Sequence, residues 1–271
     1  MPWTIPREIG VRAVEQQTDE PVAGPLELVG RITTASNATF LGRIGEVQVV
    51  YKPVAGERPL WDFPDGTLAR REVATYLLSE TLGWGIVPPT WLRDGPFGEG
   101  MVQLWQEPEG QVRPAVALIP ASEEVPAGWC HVLEGRDESE RAVVLLHEDS
   151  PELRRMAVLD VLANNADRKG GHVLEMTDGH RFGVDHGVTF NVEPRLRTIL
   201  WGWVGTSLTG EELDGVQRAV SALDGSLGDA LGELLEPDEV QACRSRCDRL
   251  LAQGTFPGPE GDMPPIPWPP L

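Results

Sequence analysis

Residues 164–187 read Asn164-Asn165-Ala166-Asp167-Arg168-Lys169-Gly170-Gly171-His172-Val173-Leu174-Glu175-Met176-Thr177-Asp178-Gly179-His180-Arg181-Phe182-Gly183-Val184-Asp185-His186-Gly187. Asp178-Gly179 stands between two runs of alternating character, the pattern of a hairpin closed by a two-residue type I′ turn, since Asp and Gly both accept positive φ. That turn implies a register: Thr177 opposite His180, Leu174 opposite Gly183, and His172 opposite Asp185. Directly opposed residues point to the same face. Two metal-capable side chains are therefore predicted side by side at the open end of the hairpin. Asp167 lies just upstream, across the Arg168-Lys169-Gly170-Gly171 turn.

An acid, a short loop, a ligand, a hairpin, and a second acid before glycine form the layout of a kinase catalytic loop and its metal-binding DxG. The loop from Asp167 to His172 resembles the D-R-H-x-x-N loop of phosphatidylinositol 3- and 4-kinases and of HipA-type kinases, and Asp185-His186-Gly187 resembles their D-F-G. The whole chain is similar to actinobacterial proteins described as phosphatidylinositol 3- and 4-kinase-like. The resemblance implies an α+β, two-lobed, protein-kinase-like or lipid-kinase-like fold. Its smaller N-lobe would be an antiparallel sheet with one helix, and its larger C-lobe mostly helical. Two positions depart from the families: His172 stands where they keep an Asn metal ligand, and Lys169 where lipid kinases keep a His that helps activate the attacking hydroxyl.

Working outward toward the start, residues 1–25 are rich in Pro, Glu and Gln without a period and read as a lead-in. Residues 26–33, 38–44 and 47–52 alternate as three strands of a meander, and the Gly45-Glu46 turn places Lys52 opposite Thr39. Between the first two strands, Thr33-Thr34-Ala35-Ser36-Asn37 is a small polar loop, and Ser36, Asn37 and Thr39 can offer donors to phosphate oxygens. Thr67 is a candidate N-cap for a helix through Leu82, with Gly83 as its C′ residue. In the resembled families a glutamate on this helix holds the strand lysine against the nucleotide phosphates; Glu72 is the candidate here and Glu80 the fallback. Residues 86–92 and 100–105 read as further strands, followed by a break at Gln106-Glu107-Pro108-Glu109-Gly110. At that hinge position the backbone of residues 103–107, including Gln103, Leu104 and Trp105, would meet adenine. The N-lobe is accordingly placed at residues 26–107.

The C-lobe is placed at residues 108–255. Residues 111–147 read as extended, with apolar runs at 115–119, 130–133 and 143–146, the last two joined as a hairpin, and suit an insertion on the larger lobe. Ser150-Pro151-Glu152 is a helix start, with Ser at the N-cap, Pro at N1 and a carboxylate at the positive end of the dipole. That helix is apolar on most sides and delivers the catalytic loop. Residues 188–205 would contact the acceptor, with Arg195 and Arg197 to receive an anion and Trp201 and Trp203 as walls. Residues 208–251 are helical in pattern with breaks at Gly215 and around Gly225 to Gly228. Residues 256–271 form a Pro-rich, polyproline-type tail, either disordered or lying along the surface.

With 271 residues the chain can bury a sizeable core. A formal net charge of −19 argues against a nucleic-acid binder and against adsorption on anionic membranes. No apolar run is long enough to span a bilayer, and the first residues lack a signal-peptide h-region, so a soluble, cytoplasmic protein is expected. The 3 cysteines, Cys130, Cys243 and Cys247, include no C-x-x-C pair and read as free thiols.

The expected chemistry is transfer of the γ-phosphoryl group of ATP to a hydroxyl. Lys52 and Glu72 would serve the non-transferred phosphates, Asp185 and His172 the divalent metal, and Asp167 the acceptor hydroxyl. Arg168 would brace the loop and Lys169 neutralise charge on the transferred group. An imidazole among the ligands favours Mn²⁺ over Mg²⁺. The acceptor stays open among a lipid headgroup, a small molecule and a protein hydroxyl. Two other readings stay open: a pseudokinase that binds nucleotide or a partner, and a metal-dependent hydrolase using His172, His180, Asp185 and His186.

Overall fold

The computed structural model describes residues 22–33, 35–108, 110 and 112–271. Most of the expected lead-in, residues 1–21, lies outside them, as do Thr34 of the small polar loop, Glu109 of the hinge break, and Gln111.

A five-stranded antiparallel sheet is built from β1 (Leu26–Arg31), β2 (Phe40–Ile44), β3 (Val47–Pro53), β4 (Thr90–Gly95) and β5 (Gly98–Leu104), in the order β1-β2-β3-β5-β4. The β2–β3 register is the one expected from the Gly45-Glu46 turn, with Phe40 opposite Tyr51 and Ile44 opposite Val47. Gly45 supplies the positive φ, 59°, that the turn requires. The β4–β5 pair runs further toward its turn than the alternation suggests. Gly95 faces Gly98 across Pro96-Phe97, because glycine at 95 leaves room for the Tyr51 ring, whose hydroxyl donates to the Gly98 carbonyl at 2.6 Å. Residues 86–89 precede the strand.

Helix α1 (Leu68–Leu82) ends, as expected, at Gly83 with φ 75°. Its start differs. The Thr67 hydroxyl donates to the Pro64 carbonyl, and the Glu57 carboxylate instead accepts from the free amides of Leu68 and Ala69 at 3.0 and 2.8 Å. A carboxylate there meets both the orphan donors and the positive end of the helix dipole. One face of α1 packs Ala69 and Val73 on Met101 of the sheet, and the other sends Ala74, Tyr76, Leu78 and Leu82 into the main core. Buried on nearly every side, α1 joins the sheet to the rest of the protein.

Residues 112–147 contribute to the main core as well as to the surface. Strands β6 (Val116–Pro120), β7 (Trp129–Arg136) and β8 (Ala142–Glu148) form a sheet in the order β6-β8-β7, and Ala115, Val116 and Leu145 belong to the main core. Helix α2 (Pro151–Ala163) begins as expected, the Ser150 hydroxyl accepting from the Leu153 amide. Leu153, Met156, Val158, Leu159 and Leu162 are fully buried. Helices α3 (Gly210–Leu223), α4 (Ser226–Gly232) and α5 (Pro237–Gln253) complete the core. The break expected at Gly215 is absent. Glycine is there because a Cβ would lie 2.3 Å from the Trp84 ring, so the missing side chain serves packing. Cys130, Cys243 and Cys247 are free thiols. Among the described residues no helix is long and apolar enough to cross a membrane.

The central hairpin, β9 (Val173–Glu175) with β10 (Arg181–Gly183), forms one residue out of the expected register. Leu174 faces Phe182 and Val173 faces Gly183. Its loop has three residues, Thr177-Asp178-Gly179: the Gly179 amide donates to the Met176 carbonyl at 3.0 Å and the Met176 amide to the His180 carbonyl at 2.9 Å. Gly179, at φ 92°, takes the left-handed position of that three-residue loop.

Candidate active site

The register shift places Val184 opposite His172, the Val184 amide donating to the His172 carbonyl at 3.0 Å. Even so, His172 Nε2 and Asp185 Oδ2 lie 3.4 Å apart. The backbone at Asp185 brings them together. Its φ is 62°, a left-handed conformation that Asp tolerates better than most residues. This local strain of about 1–3 kcal/mol turns the carboxylate back over the hairpin end.

From β3, Lys52 reaches into the same place. Its Nζ donates to Glu72 Oε1 at 2.5 Å and to Asp185 Oδ1 at 2.7 Å. The other Glu72 oxygen accepts the His186 amide at 2.8 Å. One buried carboxylate on α1 thus holds both the lysine and the backbone beside Asp185. Burial works against the Lys52 charge, but Asp185 and Glu72 outweigh it and hold the ammonium above the usual lysine range. Lys52 in turn holds the Asp185 carboxyl well below the usual carboxylate range. Burial raises Glu72, with Lys52 acting in the opposite sense. The fallback, Glu80, has no contact with Lys52 among the bonds of the site and is held protonated toward neutral pH by burial.

The catalytic-loop candidates are braced from within. The Arg168 side chain is fully buried: Nε and Nη2 donate to Asp160 at 2.8–3.2 Å, and Nη1 donates to the carbonyls of His172 and Val184, each at 3.2 Å. Arg168 Nη2 also meets His186 Nε2 at 2.6 Å. Because a guanidinium has no lone pair to accept with, His186 Nε2 accepts and its proton sits on Nδ1. Burial and Arg168 keep that ring neutral. Asn165 completes the brace, donating to Asp160 at 2.9 Å and accepting the Asp167 amide at 3.0 Å. Lys169 Nζ lies 3.0 Å from Asp167 Oδ2.

His172 Nδ1 lies 2.8 Å from the Asp167 carbonyl, which can only accept, so this nitrogen carries the proton and Nε2 presents a lone pair. Burial lowers its pKa. A neutral imidazole nitrogen and a carboxylate oxygen, both acceptors, then face each other across 3.4 Å. This donor pair fits a cation between them. It is a two-residue set: among the described residues no group of three or more His, Cys, Asp or Glu side chains could hold a metal. A hard divalent ion held by few protein ligands draws its remaining oxygens from water and substrate phosphates.

Other expected residues sit differently. Asn37 Oδ1 accepts the Arg58 amide at 2.9 Å, and buried Thr39 donates to the Asn37 carbonyl at 3.3 Å, so both side chains help to hold the loop. At the hinge, the amides of Leu104 and Trp105 donate to Pro89 and Gln48, and the Gln103 side chain bonds Thr90 inside the sheet. Those two amides are engaged there within the N-terminal sheet region. Arg197 and Trp201 contact residues 264–266 instead of an open acceptor space, buried Trp203 donates to Asp149, and Arg195 stacks on Trp61 at 4.8 Å. The histidines of the hydrolase reading are dispersed: His180 bonds the Gly85 carbonyl and His186 is enclosed with Arg168.

Two residues given no role from sequence, Asp160 and Arg71, and one given a different role, His186, are structural partners of the site. Asp160 balances Arg168. Arg71 is buried and donates to Glu239 and to the Thr189 carbonyl, each at 2.6 Å. His186 closes the set. A carboxylate in the middle of the apolar run of α2 was the available signal for Asp160.

No family model matches the chain. It is 49% identical over 258 residues to Protein Rv2133c of Mycobacterium tuberculosis, a match covering 91% of this chain and 92% of that protein. Among solved structures, the Helicobacter pylori proinflammatory kinase CtkA is similar at a TM-score of 0.44 and 11% identity, over 87% of this chain and 94% of that one.

Proposed function

We propose that this chain, which belongs to the family of Protein Rv2133c, is a metal-dependent phosphotransferase of the phosphatidylinositol 3- and 4-kinase-like class, moving the γ-phosphoryl group of ATP to a hydroxyl. One observation carries the reading. Lys52 of β3 is gripped at once by Glu72 of α1 and by Asp185, residues 20 and 133 positions away, beside a loop that presents Asp167 and His172. In protein kinases a strand lysine paired with a helix glutamate serves the nucleotide phosphates, beside an aspartate that holds the metal.

In this reading Lys52 binds the non-transferred phosphates, fixed in place by Glu72. Asp185 and His172 hold a divalent ion, Mg²⁺ or Mn²⁺, which when bound neutralises phosphate charge. Asp167 orients the acceptor hydroxyl and receives its proton once Lys169, now 3.0 Å away, turns toward the transferred phosphoryl group. Residues 26–107 act as the nucleotide lobe and 108–255 as the catalytic lobe. The Lys169–Asp167 pair also favours a second reading, a nucleotide-binding protein without turnover, because a carboxylate tied to an ammonium is a poor base.

Thermal unfolding with ATP plus Mg²⁺, ATP plus Mn²⁺ and each metal alone, on the wild type and Asp185→Ala, tests the proposal. Ligand at a hundredfold over its Kd should raise Tm by roughly 5 °C or more, only with metal and ATP together, and only in the wild type. Stabilisation by metal alone would sink it. Product formation with a hydroxyl acceptor then separates the kinase from the non-catalytic reading.

A further inference from the structure

Residues 264–271 read Pro264-Pro265-Ile266-Pro267-Trp268-Pro269-Pro270-Leu271. Prolines restrict φ and carry no amide hydrogen, so this stretch is extended in advance and bonds mainly through its carbonyls. The body of the protein supplies the donors. Arg197 donates from Nε to Pro264 at 3.0 Å and from Nη2 to Ile266 at 3.3 Å. The Thr198 amide and the Trp201 indole both donate to Pro265 at 3.0 Å. Further along, the Gly170 amide donates to the Pro270 carbonyl at 2.8 Å. Ile266 packs against the main core.

The last of these bonds falls inside the loop that carries the proposed chemistry. Gly170 lies between Lys169, whose ammonium meets Asp167, and His172, whose ring bonds the Asp167 carbonyl. The fit is close: a Cβ on Gly170 would lie 2.6 Å from the Leu271 side chain and 3.3 Å from Val116. Residues 197–199, against which the Pro-rich stretch lies, are tied to the same loop. The Arg168 amide donates to the Arg197 carbonyl at 3.0 Å and the Ile199 amide to the Arg168 carbonyl at 3.2 Å. Residues 264–271, residues 197–199 and the catalytic loop are thus three adjacent extended segments.

We infer that residues 264–271 are a strap that positions the catalytic loop, with the Pro270 carbonyl and Leu271 fixing the turn at Gly170 and hence the placement of Lys169 and His172. The catalytic consequence rests on the phosphotransferase reading; the positioning does not. Residues of the strap are positioning residues, since they reach the proposed reacting groups only through Gly170.

The test removes residues 268–271 from the full chain, keeping the anchors at Pro264, Pro265 and Ile266. Trp201→Phe, which deletes one anchoring donor at full chain length, serves as the second variant should the shortened chain not fold. Residue-resolved hydrogen exchange should quicken about tenfold at residues 170–172, the order expected on losing a hydrogen bond and its packing, and stay unchanged in α2. Trp201→Phe should show the same change in smaller measure. Turnover should fall by a larger factor than the KM for ATP rises, because Lys52 and Asp185 are untouched while Lys169 and His172 shift with the loop. Unchanged exchange at residues 170–172 in both variants overturns the inference, and faster turnover on removal overturns it in favour of a blocking segment. Altered exchange in a protein with no ATP turnover upholds the strap and counts against the phosphotransferase reading.

Discussion

Replacing Asp160 by Asn puts the brace behind the loop from Asp167 to His172 to a quantitative test. Asp160 and Arg168 have no exposed side-chain surface, and Asp160 also receives Asn165 at 2.9 Å and Thr198 at 3.3 Å. Asn removes the charge, leaving the guanidinium with two backbone carbonyls and the neutral His186 ring. Breaking a buried pair on one side costs about 3–5 kcal/mol. Asn still accepts one bond, so about 3 kcal/mol is expected, a large share of the roughly 5–15 kcal/mol that stabilises a typical protein. At about 2–4 °C per kcal/mol for a chain of this size, Tm should fall by roughly 6–12 °C. Urea unfolding followed by tryptophan fluorescence, with a thermal scan beside it, reads both quantities. Adding Arg168→Met should then cost less than in the wild-type background by about 1–3 kcal/mol, the coupling expected of contacting partners. A loss below about 1 kcal/mol for Asp160→Asn would refute the reasoning, because it would mean that the guanidinium charge is compensated without Asp160.

His172→Asn restores an oxygen ligand and should shift the ratio of Mg²⁺- to Mn²⁺-supported ATP binding toward Mg²⁺ by about tenfold or more, read from Kd values in each metal; an unchanged ratio removes His172 from the metal site. Burial pushes the Glu80 carboxyl up to about 7, so the fold favours its neutral form, and that stabilisation is complete below the unfolded carboxylate range and lost as pH rises through 7. Glu80→Gln should therefore match the wild type near pH 4 and exceed its stability by about 1–3 kcal/mol at pH 8, measured by urea unfolding at both pH values. Gly215→Ala forces a methyl group against Trp84 and should cost about 1–3 kcal/mol, with unfolding monitored by Trp84-sensitive near-UV circular dichroism.

Much of this arrangement was legible in local chemistry. The Gly45-Glu46 turn set the β2–β3 register, Ser150-Pro151 opened α2, and Gly83 closed α1, because in each case the deciding interactions lie within a few residues. The hairpin shows where such reasoning stops. A two-residue and a three-residue loop can both be written around Asp178-Gly179, and the choice moves every pair by one. His172 and Asp185 still converge, for a reason outside the register: the left-handed backbone at Asp185. The bonds of the Leu104 and Trp105 amides were not legible, because a free donor and one spent on a neighbouring segment look alike in sequence.

By itself the sequence determined the order of the elements, the identities of Lys52, Glu72, Asp167, His172 and Asp185 as a candidate site, and the turns and caps that are local bargains between a backbone and its nearest side chains. Only the tertiary structure decided who balances whom. Asp160 under Arg168, Arg71 against Glu239, Glu72 bridging Lys52 to the His186 amide, and residues 264–271 laid over Gly170 all join parts of the chain brought together by packing. A charge can be buried only where its partner is also delivered, and that delivery is set by how helices and sheets pack around a common core rather than by spacing along the chain.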